Sequence, residues 1–295
     1  MKETNPHIRA LYLRQKMQTA MSGVRDKLGV HEFDARDFEI VPVTVHVKGL
    51  DPEFNNYKIA HISDIHLGQW ISAKRIEGVV NQVNKQKPDI VAITGDSVSY
   101  VVNEPILDML RYLKNLKPKD ATLAVLGNHD HWIGADEIRK VMKETGIIEL
   151  ENDVYTIKRG DAQLNIAGID SVTLDKHDLN AVLNKLPESG PAILLAHEPD
   201  FADVSAATGR FSLQLSGHSH GGQMIIPGVG TPFRGSEFKK YPLGKYDVGD
   251  MVQYTNRGLG TNVFWIRINC PPEITVLNLQ SSNSAKIKDE SNKKI

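Results

Sequence analysis

The sequence predicts an α/β (α+β) fold: a four-layer αββα sandwich of two mixed β-sheets flanked by helices, with a further helix at the N-terminus. Three observations carry this. Strands and helices alternate through residues 57–146, β-type segments dominate from residue 154 onward, and several apolar strands stop at a short turn where glycine meets His, Asp or Asn. Such turns lie where open α/β sheets build their sites. At 295 residues the chain can bury a large core, and 40% hydrophobic with 24% charged residues is an ordinary globular balance.

Residues 8–28 read as a helix. Met17, Met21, Val24 and Leu28 share one face, and Arg9, Arg14, Lys16, Arg25 and Lys27 form a basic side with Asp26 as the acid among them. A helix of this kind lies on an anionic membrane surface, docks on a partner, or packs on its own domain. Residues 1–37 thus read as an amphipathic extension and 38–280 as the main domain. Val43, Val45 and Val47 alternate with Thr44 and His46, which makes 38–47 an edge or lead-in strand with His46 on its polar side.

The next strand, 57–63, ends at Asp64. Ser72 is a plausible cap for a helix that places Ile76, Val79, Val80 and Val83 on one face before Pro88. The apolar strand 89–94 ends at Gly95-Asp96, a helix spans 105–116, strand 122–126 ends at Gly127, and a helix runs over 135–144. Beyond these come strands at 154–158, 163–168, 192–196, 212–216, 223–226, 251–255 and 274–279, with one helix at 179–186. The Gly/Pro-rich stretch 227–249 reads as a long loop, either a lid or binding surface or simply a solvated segment. Residues 281–295 are polar and aperiodic, the composition of a disordered tail.

The net charge of -1 offers no general case for nucleic-acid binding. A single cysteine, Cys270, excludes an intrachain disulfide framework and a Cys-rich zinc site, and fits a reducing compartment. No apolar run is long enough to span a membrane, and the first 21 residues contain no apolar signal core. The expected location is cytoplasmic, with peripheral contact at the inner face of the membrane through residues 8–28.

Five motifs bear the chemistry: Asp64-Ile65-His66, Gly95-Asp96, Gly127-Asn128-His129-Asp130, His197, and Gly217-His218-Ser219-His220. Imidazole, carboxylate and amide together suit two adjacent ions of Zn, Mn, Fe, Co or Ni, and are too rich in nitrogen for a magnesium or calcium cage. One carboxylate must bridge ions about 3.5–4 Å apart, and Asp96, after a glycine that permits close approach, has the two oxygens to do so. Asn128 adds a neutral oxygen that limits the negative charge. A water activated between two such metals attacks a phosphate ester.

In this order the motifs resemble those of the calcineurin-like metallophosphoesterases, over about residues 57–279. Gly221-Gly222-Gln223, Tyr241-Pro242-Leu243-Gly244, Asn256-Arg257-Gly258-Leu259-Gly260 and Asn269-Cys270-Pro271-Pro272-Glu273-Ile274 resemble one bacterial branch. That branch includes broad phosphodiesterases and membrane-associated UDP-2,3-diacylglucosamine pyrophosphatases. The resemblance implies Asp64, His66 and His220 on the first metal, Asn128, His197 and His218 on the second, and Asp96 as the bridge. It implies that His129 is not a ligand but donates toward the leaving oxygen, with Asp130 supporting its orientation and charge. Many members carry a further Asp or Asn soon after Gly-Asp, where this chain has Ser97-Val98-Ser99.

The implied function is hydrolysis of a phosphodiester or diphosphate by a metal-bridged hydroxide, the substrate being a small or lipid-linked phosphate ester. A lipid pyrophosphatase at a membrane surface, a nuclease and a catalytically silent scaffold are the alternatives. His131 either lines the substrate cleft or packs. Arg257, flanked by Gly258 on a late loop, either holds a second phosphate or braces the loop. His61 belongs to the core or supports a ligand, and Cys270 is structural.

Overall fold

A computed structural model describes residues 34–67, 71–232, 234–262 and 267–282. The helix expected over 8–28 and most of the expected tail lie outside the described residues. Strand β1 (Glu39–Val47) opens the domain, and β2 (Tyr57–Ile62) leads through the first motif to α1 (Ala73–Lys85). Ser72 caps α1 as expected, its hydroxyl accepting from the Arg75 N–H at 3.3 Å. Ile76, Val79, Val80 and Val83 of α1 are buried, each contributing about 1.5–3 kcal/mol of apolar burial.

Strand β3 (Ile90–Thr94) leads to α2 (Glu104–Arg111), and β4 (Ala121–Val125) to α3 (Asn128–Ile133) and α4 (Ala135–Glu144). The short β5 (Ile148–Glu149) closes one edge of this first sheet. The second half holds β6 (Asp153–Arg159), β7 (Ala162–Gly168), α5 (Leu179–Lys185), β8 (Ala192–Leu195), α6 (Ala202–Ala207) and β9 (Phe211–Ser216). Strands β10 (Gly244–Val248), β11 (Met251–Thr255) and β12 (Glu273–Ser281) follow.

The sheets are six-stranded, in the orders β1-β12-β2-β3-β4-β5 and β10-β11-β9-β8-β7-β6. Both are mixed: β12 pairs parallel to β1 and antiparallel to β2, and β6 and β10 are antiparallel additions to otherwise parallel strands. Val45, Ile59, Ile90 and Leu123 of the first sheet pack with Leu164, Ile166, Ile193 and Leu213 of the second. α1, α2 and α4 cover the outer face of the first sheet, while α5 and α6 cover that of the second. This is the αββα sandwich the sequence predicts.

Five local expectations need correction. Residues 223–226 form no strand, only isolated bridges from Met224 to Ile268 and from Ile226 to Gly230. The 227–249 stretch is not all loop, because β10 pairs with β11 from Gly244 onward. A second helix, α6, interrupts the β-rich half, and α2 stops at Arg111, with a 3-10 turn over Tyr112–Asn115. Ser281, assigned to the tail, is the last residue of β12.

Candidate metal centre

The motifs converge at the C-terminal edges of both sheets. Asp64 and His66 follow β2, Asp96 follows β3, Asn128 opens α3 after β4, His197 follows β8, and His218 and His220 follow β9. The turns are zipped together by main-chain bonds: Asp64 N–H donates to Gly95 O, His66 N–H to Asp96 O, and Gly217 N–H to His197 O, each at 3.0 Å. Glycine is required where they touch. A Cβ on Gly127 would overlap Asp96, with its main-chain N only 2.7 Å away, and one on Gly217 would overlap Ser63 and the Asp64 carboxylate.

Two clusters of ligand atoms result, Asp64, His66 and His220 in one and Asp96, His197 and His218 in the other. In the first, His66 Nε2 stands 3.0 Å from His220 Nε2, which lies 3.3 Å from Asp64 Oδ1. In the second, His218 Nδ1 is 3.2 Å from His197 Nε2. Asp96 Oδ2 lies 3.3 Å from His197 Nε2 and 3.6 Å from His66 Nε2 of the other cluster. Its Oδ1 accepts the His129 N–H at 2.9 Å.

The backbone of these turns is not extended. Asp64, His66, Asp96, His218 and His220 have φ of 48°, 49°, 53°, 65° and 52°. Left-handed residues swing the side chains of the turns inward, and His218 and His220 consequently serve different clusters. Strain of this kind gathers at functional sites.

The donor set fits divalent transition metals. Asn128 Oδ1 and His220 Nδ1 are buried without a hydrogen-bond partner, and an amide oxygen left so is costly unless a cation is its partner. His197 Nδ1 donates to Thr94 O at 2.7 Å, which leaves Nε2 as the ligand atom. Burial pushes His66 down to about 3, against the pull of Asp96, and pushes His218 down to about 4 with the His197 charge adding to it. Burial thus favours the neutral form of both rings, the form that ligates. Burial also lifts Asp64 to about 7, opposed by His197 and aided by Asp96. His197 goes the other way: burial disfavours its charge, yet Asp96 and then Asp64 raise it well above an ordinary histidine. The field at that nitrogen favours a positive charge, as a metal site must.

Among the other expected residues, His129 is buried, with its ring 4.9 Å from that of His66 and also 4.9 Å from that of Trp132. Its Nδ1 donates to Ser99 O at 3.1 Å. Asp130 requires correction: it does not orient the His129 ring. Its oxygens accept the N–H groups of Val98 and Gly127 at 3.1 and 3.0 Å, capping α3 and tying the Asp96 turn to it. Arg257 also requires correction, since its guanidinium is committed to Glu273 at 2.6 Å and Glu39 at 2.7 Å and braces the loop. His131 donates from Nε2 to Asp170 Oδ1 at 2.5 Å and packs against that carboxylate. His61 is a core residue bonded to Thr94 Oγ1 at 2.8 Å.

Two residues passed over in the sequence support the centre. Arg267 donates to the carbonyls of Arg257, Gly258, Gly260 and His220, locking the last two loops together. Nothing local in the sequence marks it. Glu198, buried next to His197, accepts from Ser171 Oγ at 2.8 Å and Thr173 N–H at 2.9 Å. An acid directly after a buried strand and a histidine was the available signal.

Residues 57–222 match the family model for the calcineurin-like phosphoesterases. The chain belongs to this family. The metallophosphoesterase is 33% identical over 236 residues to the uncharacterised metallophosphoesterase YkuE of Bacillus subtilis, covering 78% of this chain and 81% of the relative. It is 32% identical over 233 residues to the phosphodiesterase YaeI of Escherichia coli, covering 76% and 82%. Solved structures that align with it include an archaeal phosphodiesterase at 14% identity and TM-score 0.39, covering 68% of this chain and 84% of that one. The metallophosphoesterase is therefore a metal-binding hydrolase of phosphate esters. Among the described residues, no helix is long and apolar enough to cross a membrane.

Proposed function

We propose that the metallophosphoesterase hydrolyses a phosphodiester with two metal ions, one held by Asp64, His66 and His220, the other by Asn128, His197 and His218, with Asp96 between them. The observation that carries this reading is the reach of Asp96 Oδ2 to both clusters, 3.6 Å from His66 Nε2 and 3.3 Å from His197 Nε2. Two bound transition-metal ions would supply an activated water and an electrophilic pull on the phosphoryl oxygens. His129 supplies the proton as an imidazolium: its Nδ1–H donates to Ser99 O, and the Nε2–H is left to serve the leaving oxygen. Burial of Asp64, His66, Asp96, Asn128, His197 and His220 limits access of competing water to the reacting groups.

A diester is favoured over a diphosphate because Arg257, the cation best placed in the sequence for a second phosphate, is already paired with two carboxylates. The phosphodiesterase name of the Escherichia coli relative supports the same class. The test is metal analysis with a substrate panel of bis-p-nitrophenyl phosphate, cyclic nucleotides, glycerophosphodiesters and UDP-linked lipids. Expected are two ions per chain and metal-dependent cleavage of diesters. Two ions with no hydrolysis of any ester would make the protein a scaffold, and preferential diphosphate cleavage would select the lipid pyrophosphatase reading. The basic pattern of residues 8–28 supports docking on an anionic membrane from the cytoplasmic side. Liposome sedimentation that is unchanged on deleting residues 1–30 would refute that contact.

A further inference from the structure

We infer that Ser99 is a positioning residue for two histidines at once, its hydroxyl setting the first-cluster ligand His66 and its main-chain carbonyl setting the proton donor His129. The inference rests on the two-metal reading above and assigns a role to a position where many relatives resembling this chain carry an acid or amide.

His66 Nδ1 lies 2.6 Å from Ser99 Oγ, and His129 Nδ1 lies 3.1 Å from Ser99 O. A carbonyl oxygen can only accept, so Nδ1 of His129 carries a proton, and the proton given to the leaving oxygen is a second one, on Nε2 of the imidazolium. A hydroxyl can do either. For His66 Nε2 to offer a lone pair within its cluster, the ring proton must again sit on Nδ1, and the Ser99 hydroxyl is then the acceptor. One residue thereby holds a proton on Nδ1 of both rings, whose planes stand at 88° with centroids 4.9 Å apart.

The turn that carries Ser99 is fixed from two directions. Leu67 N–H donates to Ser97 O at 3.0 Å, and Val98 N–H donates to Asp130 Oδ1 at 3.1 Å. Ser99 and His66 are 1% and 0% exposed, so no solvent competes for either bond. A carboxylate at this position would add negative charge to a buried group that already contains Asp64, Asp96 and Asp130. The hydroxyl orients without adding charge.

The test uses the full chain, stripped of metal and titrated with Zn2+ by calorimetry. Ser99→Ala should weaken one of two binding events by about 10–100-fold, the usual effect of removing an outer partner of a ligating histidine. The other event should keep its affinity, and Ser99→Thr should restore the first. In the zinc-loaded protein, 15N spectra of the histidine rings should show Nδ1-protonated His66 and His129. Ser99→Ala should alter the His66 signal and leave the His129 Nδ1–H in place, because its acceptor is main chain. Wild-type affinity for both ions in Ser99→Ala, equal weakening of both events, or failure of Ser99→Thr to restore would each overturn the inference. Fewer than two zinc ions on the wild-type protein would overturn the two-metal reading itself.

Discussion

Left-handed backbone at five proposed ligand positions has a measurable cost. At His218, φ is 65°, a conformation that an L-residue occupies at about 1–2 kcal/mol while glycine does not. Glycine gives back about 0.5–1 kcal/mol of that gain through its greater freedom in the unfolded chain. In protein stripped of metal, His218→Gly should therefore be more stable than His218→Ala by about 0.5–1 kcal/mol. Both variants lose the same imidazole, so the difference isolates the backbone. Asn81, exposed within α1, is the control, and there alanine should exceed glycine by about 0.5–1 kcal/mol. Urea unfolding in the presence of chelator measures both pairs. Alanine equal to or better than glycine at position 218 would refute the claim that the site stores backbone strain.

Other expectations concern single side chains. His129→Ala should lower turnover by about 10²–10⁴-fold while two ions remain bound; loss of an ion, measured by elemental analysis, would instead make His129 a ligand. Arg257→Met should lower the melting temperature and leave KM for bis-p-nitrophenyl phosphate within about twofold, because rim or brace residues add little to substrate binding. A tenfold rise in KM without loss of stability would return Arg257 to the substrate. Asp130→Asn should cost about 1–3 kcal/mol of stability through its buried main-chain donors. It should leave the shape of the pH–rate profile unchanged, and a shifted acidic limb would mark Asp130 as part of the acid–base machinery.

What the sequence makes legible is local. The ligand motifs stand out because each is a few residues long and its chemistry does not depend on distant partners. Helix α1 is readable from its Ser72 cap and its apolar face. The helix at Asn128–Ile133 is not, since six residues give no periodicity and the segment announces itself as a ligand motif. The role of Asp130 is not legible, because adjacency to His129 says nothing about direction and one of its donors, Val98, is 32 residues away. The partners of Arg257 are likewise remote, Glu39 lying 218 residues from it in sequence. Arg267 acts on carbonyls, which every residue has, so no pattern of side chains could reveal it.

The last strand has a consequence for when the enzyme can come into being. β12 (Glu273–Ser281) lies between β1 and β2, the strand that leads to Asp64, so the first sheet has a gap until the end of the domain has been synthesised. Both clusters also mix the two halves of the chain, His220 joining Asp64 and His66, and Asp96 joining His197 and His218. A nascent chain emerging N-terminal end first exposes Asp64, His66 and Asp96 long before the histidines that join them in the proposed clusters. On the proposed ligand set, neither metal site can be complete before His218 and His220 have been synthesised.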